Sequence, residues 1–281
     1  MDSAKDIILK IIPASIANSF IKREHYSNKV TANSSLHFGA FLKGELHGVM
    51  SFGCPLDKRK VLHLVNTSKG VPCLWNEMLE LNRMAFDYKL PKNSESRCLS
   101  IAFMLIKKNA PHIKWVLSFA DALQCGDGTI YRAAGFSLIG IKKYTDFWEL
   151  PDGNVVLGAV MRMNKAYTGW LRPFITEEKW NDLSGGGCRS DVVMQYIGAK
   201  KLDNGYSLKY IYLVDKSCKI TVPILNKSDI DKIGAGMYKG KKVLVSDRSK
   251  RVSSIGNDAA TDQVAEGGAI PTDTLQQSNN L

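Results

Sequence analysis

Three stretches of this chain carry side chains suited to acid–base and anion-binding chemistry. They are Glu24-His25-Tyr26-Ser27; Glu80-Leu-Asn-Arg83 with Asn93-Ser-Glu-Ser-Arg97; and Ser118-Phe-Ala-Asp121 leading through Cys125-Gly-Asp127-Gly-Thr-Ile-Tyr131 to Gly135-Phe136. The third is the most informative. Lys114–Phe119 reads as a short buried strand, and Asp121 stands just past its carboxyl end, the edge where open α/β sheets form ligand crevices. Gly126 and Gly128 free the backbone to approach a ligand or an opposing chain. Tyr131 falls one turn into the next helix, on the side that can face Asp121. For Asp121 alone, a turn-capping aspartate beside a core tyrosine explains the same pattern.

Hydrophobic period and turn chemistry supply the elements that must hold these groups. Asp6–Pro13 reads as a first strand and Ala14–Glu24 as a helix with Ile16, Phe20 and Ile21 on one side. Leu36–Leu42 and Glu45–Phe52, joined by Lys43-Gly44, form a hairpin. Glu77–Phe86 reads as another strand, with a helix as the alternative. Behind Asn93–Arg97, the residues Cys98, Ile101, Ala102, Leu105 and Ile106 recur at helical spacing until Asn109-Ala-Pro111. Thr129–Ala134 is a short helix closed by Gly135, Phe136–Tyr144 is a strand, and Pro151-Asp152-Gly153 turns a further hairpin. The expected fold class is α/β, with a mixed, mostly antiparallel sheet and helices on its faces.

Domain boundaries are expected at 1–168 for the main domain and 169–245 for a small appendage. The appendage should carry a hairpin of Lys209–Val214 and Lys219–Leu225 around Asp215-Lys216-Ser217. Beyond it, 246–281 is poor in aromatics and reads as a disordered tail. The chain has 281 residues and a formal charge of +11. Residues 246–281 carry three bases and five acids, which leaves +13 on the rest. So basic a body attracts polyanions by counterion release. The chain has no apolar run long enough for a membrane span, and acids stand where a secretory signal would be basic. Together these predict a cytoplasmic protein with no membrane partner. Its six cysteines include no CxxC pair, against a zinc ribbon or a disulfide framework.

Tyr131-x-x-x-Gly135-Phe136 with the preceding strand order resembles the closing helix and strand of the GNAT acyltransferase fold. There, the helix before the central splayed strands binds the acyl-CoA pyrophosphate. Here that helix starts near Asn93–Arg97, and Ser96-Arg-Cys-Leu-Ser100-Ile-Ala102 replaces the usual Gln/Arg-x-x-Gly-x-Gly/Ala loop, which argues against ordinary acetyl-CoA binding. All three stretches together resemble the Mom family of bacteriophage DNA-modification proteins over roughly residues 5–165. That family converts adenine in phage DNA to its N6-carbamoylmethyl form and so protects it from restriction.

The resemblance implies a GNAT-like transferase acting on double-stranded DNA in the host cytoplasm. Its functional positions fall on His25, Tyr26, Asp121 and Tyr131, with Tyr26, Asp121 and Tyr131 as oxygen ligands for an iron. Asp121 or His25 would take the N6 proton, and Tyr26, Tyr131 or Trp75 would stack on an extruded base. Arg83, Ser96 and Arg97 would bind an anionic donor or phosphate; Arg83 pairing with Glu80 and Arg97 on a solvated face are the structural alternatives. Cys125 reads as a structural thiol, Asp127 as a loop-shaping residue, and His37, His47, His63 and His112 as structural. Two other functions fit the residues: an N-acetyltransferase acting on a small amine or a protein, and a non-catalytic DNA-binding module; Tyr210 and Tyr212 of the appendage would serve either the modifying enzyme or the module.

Overall fold

A computed structural model describes residues 2–122, 126–158, 170–184, 190–202, 205–234, 237–238 and 241–242. Cys125 and the tail from Ser246 lie outside them. The chain divides into a unit Met1–Val243 and a second unit Leu244–Leu281.

A seven-stranded sheet organises the first unit. Its strands are β1 (Ile8–Ile11), β2 (Ser34–Leu42), β3 (Glu45–Gly53), β5 (Met78–Phe86), β6 (Trp115–Asp121), β11 (Gly205–Leu213) and β7 (Ser137–Tyr144), in that spatial order. β4 (Val65–Asn66) pairs separately with β12 (Lys219–Ile220). Every neighbouring pair in the large sheet is antiparallel except β5 and β6. Helix α1 (Ala14–Glu24) covers one face; α2 (Ser94–Asn109) and α3 (Thr129–Ala133) lie on the other. This is the GNAT-like mixed arrangement expected from the sequence.

The pattern explains these placements. In α1, Ala17, Phe20 and Ile21 are buried against Val49 and Ala85, while Ile16 is exposed, contrary to the expected face. In α2, Cys98, Leu99, Ala102, Phe103 and Ile106 recur every three or four residues and pack on Phe38, Phe52, Leu81 and Val116. Each such buried side chain contributes about 1.5–3 kcal/mol. The β2–β3 hairpin closes through Lys43 at φ 52° and Gly44 at φ 89°, the two positive angles a two-residue hairpin turn of matching twist requires.

Two pairings of strands cross the expected boundary at 168/169. Lys209–Val214 does not form a hairpin with Lys219–Leu225. Instead β11 inserts between β6 and β7 and pairs with both. Leu208 and Tyr210 are buried on one face of β11 and Ile211 on the other, and a strand buried on both faces needs a central position. The other pairing joins strands from both sides of it. β8 (Phe147–Glu149), β9 (Val155–Leu157) and β10 (Lys200–Leu202) form a small sheet. Their Trp148, Leu150 and Val156 share a core with Leu171, Val193 and Met194 near helices α4 (Glu177–Ser184) and α5 (Ser190–Tyr196).

Candidate active site

The sheet's one parallel pair sets the geometry. β5 and β6 are in register for three residues, Met78 with Trp115, Leu79 with Val116 and Glu80 with Leu117, and then part. The cleft beyond Glu80 and Leu117 has β5 as one limb and β6 as the other.

Which side chains face the cleft depends on a β-bulge. On β5, Arg83 opposes Ser51 and Leu81 opposes Phe52, so Asn82 is an extra residue with no partner of its own. Strand side chains alternate, so an unbulged strand would send Glu80 and Arg83 to opposite faces. The extra residue resets the alternation. Leu79, Leu81, Met84 and Phe86 therefore pack toward α2, while Glu80, Arg83 and Ala85 share the α1 face. On β6, Val116 and Ala120 face α2, and Trp115 and Leu117 face the other way. Phe119 and Asp121 follow Leu117 by alternation, so Asp121 lies on the α1 face, about 13 Å up the strand from Leu117 at the usual rise per residue.

His25 caps the carboxyl end of α1 in extended conformation and is buried. Ser27 N–H donates to its Nδ1 at 3.1 Å, and the Ser27 hydroxyl lies 2.9 Å from the same nitrogen. A nitrogen that accepts a backbone N–H carries no proton, so the neutral ring holds its proton on Nε2. Burial, and then the nearby Arg83 charge, push the His25 pKa down to about 4. Tyr26 is exposed, its ring centroid 4.2 Å from that of His25.

Arg83 fastens this turn to the sheet. Its Nε donates to the Lys29 carbonyl at 2.9 Å and its Nη1 to the Asn82 carbonyl at 2.7 Å, rather than forming a close ion pair with Glu80. Burial raises the Glu80 pKa, against the opposing pull of Asn82 and Arg83. Lys29 Nζ sits 3.4 Å from the Trp170 ring centroid, which joins the loop after α1 to the smaller core.

Tyr131 approaches from the other side. Its ring packs with Phe136 and Tyr210 near α2, and its hydroxyl donates to the Phe119 carbonyl at 3.5 Å. The preceding loop is built for this placement. Asp127 is buried, accepts from Thr129 N–H and hydroxyl and pairs with Arg132 at 3.2 Å, while the Tyr210 hydroxyl donates to its carbonyl at 2.8 Å. Gly128 has φ +69°, and a Cβ there would lie 2.6 Å from the Tyr210 ring.

Tyr26, Asp121 and Tyr131, the residues expected to share an iron, stand in the turn after α1, at the end of β6 and in α3. The Tyr131 hydroxyl reaches the Phe119 carbonyl on β6, two residues before Asp121, while its ring packs on the α2 side. Among the described residues no group of three or more His, Cys, Asp or Glu side chains is placed to hold a metal ion. Trp75 is partly buried against the cluster around Trp115, Tyr212 is partly buried against Phe103, and Tyr210 is fully buried in the sheet's core. His37 bonds Ser51 and His47 bonds Asp87, both at 2.8 Å, as structural histidines do.

Ser96 and Arg97 belong to a separate open groove of about 740 Å³ on the α2 face, lined also by Lys5, Lys92 and Ser100. Arg97 is half-buried rather than on a solvated face, and its Nε is enclosed without a hydrogen-bond partner.

The model of the Mom protein family matches residues 6–228. The chain belongs to the Mom protein family. It is 35% identical over 168 residues to methylcarbamoylase mom of Escherichia phage Mu, a match covering 57% of this chain and 65% of that protein. The chain thus spans just under two thirds of the length of this relative. Among solved structures it is similar to a GNAT-family acetyltransferase from Streptococcus pneumoniae, with TM-score 0.34 and 9% identity over 72% of this chain and 97% of that one. It is also similar to a GNAT-family acetyltransferase from Elizabethkingia anophelis with acetyl-CoA bound, with TM-score 0.34 and 13% identity over 73% and 97%.

Sequence reasoning passed over Glu80 as a site residue and missed Lys29 and the bulge at Asn82. A carboxylate and an amide inside the apolar run Met78–Phe86 were the available signal for the first and third. Nothing in the sequence foretold Lys29.

Proposed function

We propose that this chain is a DNA-modifying transferase that places a carbamoylmethyl-like group on adenine N6 in phage DNA in the host cytoplasm, protecting it from restriction. The observation that carries the reading is the alternation reset at Asn82. It puts the His25–Arg83 side of the cleft and Asp121 on one sheet face, on the two limbs of the splay.

Adenine N6 is a poor nucleophile because its lone pair is delocalised into the ring. It needs an electrophilic donor and a base placed where the proton leaves. Asp121, at the strand end, is the group for that role. As N6 attacks, the nitrogen–carbon bond forms, the leaving group departs with its electron pair, and the N6 proton passes to the Asp121 carboxylate. His25 is neutral and accepts at Nδ1, so it presents Nε2–H as a donor and is not the base. Exposed Tyr26 offers a ring beside it for an extruded base, whose removal from the stack costs a few kcal/mol. The basic charge of the body holds the duplex during that step.

The donor side is the opposite face. The groove at the start of α2 offers Ser96, Arg97 and Lys92 to an anionic group. In this reading donor and base meet where β5 and β6 part, with the Tyr131 hydroxyl beside β6. The test is nucleoside mass spectrometry of DNA from cells making the wild-type protein and Asp121→Asn side by side. The expected result is a modified deoxyadenosine in the first and its loss in the second. Unmodified deoxyadenosine in both would overturn the reading.

A further inference from the structure

The α1 face of the sheet is closed at one end and open at the other. At the closed end Trp115, Leu117 and Ile211 lie under Val61, Leu64, Val65, Cys73 and Cys218. Further along the same strands Phe119 is 40% exposed, although Trp115–Ser118 and Ala120 of its strand are all buried. A single exposed phenylalanine is unremarkable. Its neighbours are what matter. Lys209 is directly opposite Phe119 on β11, with Nζ 5.9 Å from the ring centroid. On the far side of Lys209 stands Gly140, where an added Cβ would meet only the Lys209 Cβ, at 3.9 Å, so the surface there is a shallow recess. Lys142, opposite Ser207, borders that recess with its Nζ 4.8 Å from the Tyr144 ring.

Lys209 and Lys142 thus stand on one face of neighbouring strands, with Asp121 across Ser207 from Lys142. Burial, and then the neighbouring Lys142 charge, lower the Lys209 pKa. Like charges held close raise the energy of the fold unless an anion arrives. A flat ring beside such a pair matches a nucleotide: a π face for the base and a doubly cationic seat for its phosphate. Asp121 follows Phe119 by two residues on the same face, so a base lying on Phe119 is within reach of the carboxylate.

We propose that Phe119, Lys209 and Lys142 form a nucleotide-docking platform, in which Phe119 stacks on the extruded adenine and the lysines seat its flanking phosphate. The inference rests on the DNA-adenine reading above and deepens it by assigning where the base and phosphate lie. Cation–phosphate contacts appear in the salt dependence of binding, and stacking appears in the preference for an unpaired base.

The experiment uses the full chain and two fluorescent duplexes, one fully paired and one with a central adenine opposite an abasic site. The wild-type protein should prefer the second. Phe119→Leu should lose about tenfold of that preference, within the range expected for one stacked base, and Phe119→Tyr should keep it. Lys209→Gln with Lys142→Gln should lower the slope of log affinity against log salt by about 1, the effect of one phosphate contact. Variants that melt like the wild type yet bind both duplexes with unchanged preference and slope would overturn the platform. So would a wild-type protein that binds neither duplex. Nucleoside mass spectrometry on the same variants separates the two claims. Modified adenine at wild-type level in all of them sinks the platform and leaves the transferase. Platform-dependent binding with no modified adenine in any background leaves the platform and sinks the transferase.

Discussion

Burying a neutral histidine at the mouth of the cleft has a measurable stability consequence. The His25 pKa falls from an ordinary 6.5 to about 4 in the folded protein, first through burial and then through Arg83. Between those values the unfolded chain binds a proton that the native state refuses. The stability this group contributes is therefore complete above about pH 6.5 and is lost as the pH falls toward 4. The full swing is about 3 kcal/mol, of which about 2 kcal/mol is gone at pH 5. The variant His25→Gln keeps an amide donor near the Nε2 position and cannot titrate. Urea unfolding of both proteins at pH 7.5 and pH 5 isolates the effect, because every other titrating group is common to the pair and cancels. The stability advantage of the wild type should shrink by about 2 kcal/mol at the lower pH. Parallel pH dependence in the two proteins would refute the assignment of a neutral imidazole, and with it the conclusion that His25 donates rather than acting as base.

Two further outcomes follow from the same geometry. Gly128→Ala combines a positive φ with a Cβ driven into the Tyr210 ring, and should cost about 2–4 kcal/mol in a urea titration by the usual penalties for strained backbone and overpacking; wild-type stability would show that the loop has another conformation available. Glu80→Gln removes a carboxyl whose pKa is raised by burial. The native state holds that proton more tightly, so its stabilising effect is complete at acid pH and fades as the pH rises through the folded value. The variant should accordingly gain on the wild type between pH 4 and pH 8, and a gap that stays constant across that range would count against a buried, raised Glu80.

Local chemistry made much of this fold legible. The Lys43-Gly44 turn requires two positive φ angles that those residues adopt, so the β2–β3 hairpin could be placed from the sequence. The apolar spacing along α2 marked both the helix and its buried side. The failures come where partners are chosen over distance. Gly205–Leu213 alternates as a strand should, yet nothing within it says that its edges belong to β6 and β7 rather than to the strand that follows. That choice is made by the space at the sheet centre, where Tyr210 reaches the Asp127 carbonyl and leaves no room for a side chain at residue 128. Asp121 and Tyr131 show the same limit: the sequence puts them one loop apart, and the strand turns one toward the α1 face while the helix packs the ring of the other on the α2 side.

The bulge at Asn82 ties this lesson to function. Period-two reasoning assigns Glu80 and Arg83 to opposite faces, so an unbulged β5 would turn Arg83 into the core beneath α2. There a guanidinium would have to be desolvated among Phe52, Leu81 and Phe103, at a cost of several kcal/mol. One extra residue avoids that cost. It lets Arg83 hold the His25 turn through the Lys29 carbonyl, and it lets the Arg83 charge add to the burial that lowers the His25 pKa. The same residue spends its own side chain on Ser34, whose hydroxyl donates to the Asn82 Oδ1 at 3.0 Å, and so anchors the insertion in β2. A single inserted residue thus decides on which face Arg83 stands, and so adds the Arg83 charge to the burial that keeps His25 neutral.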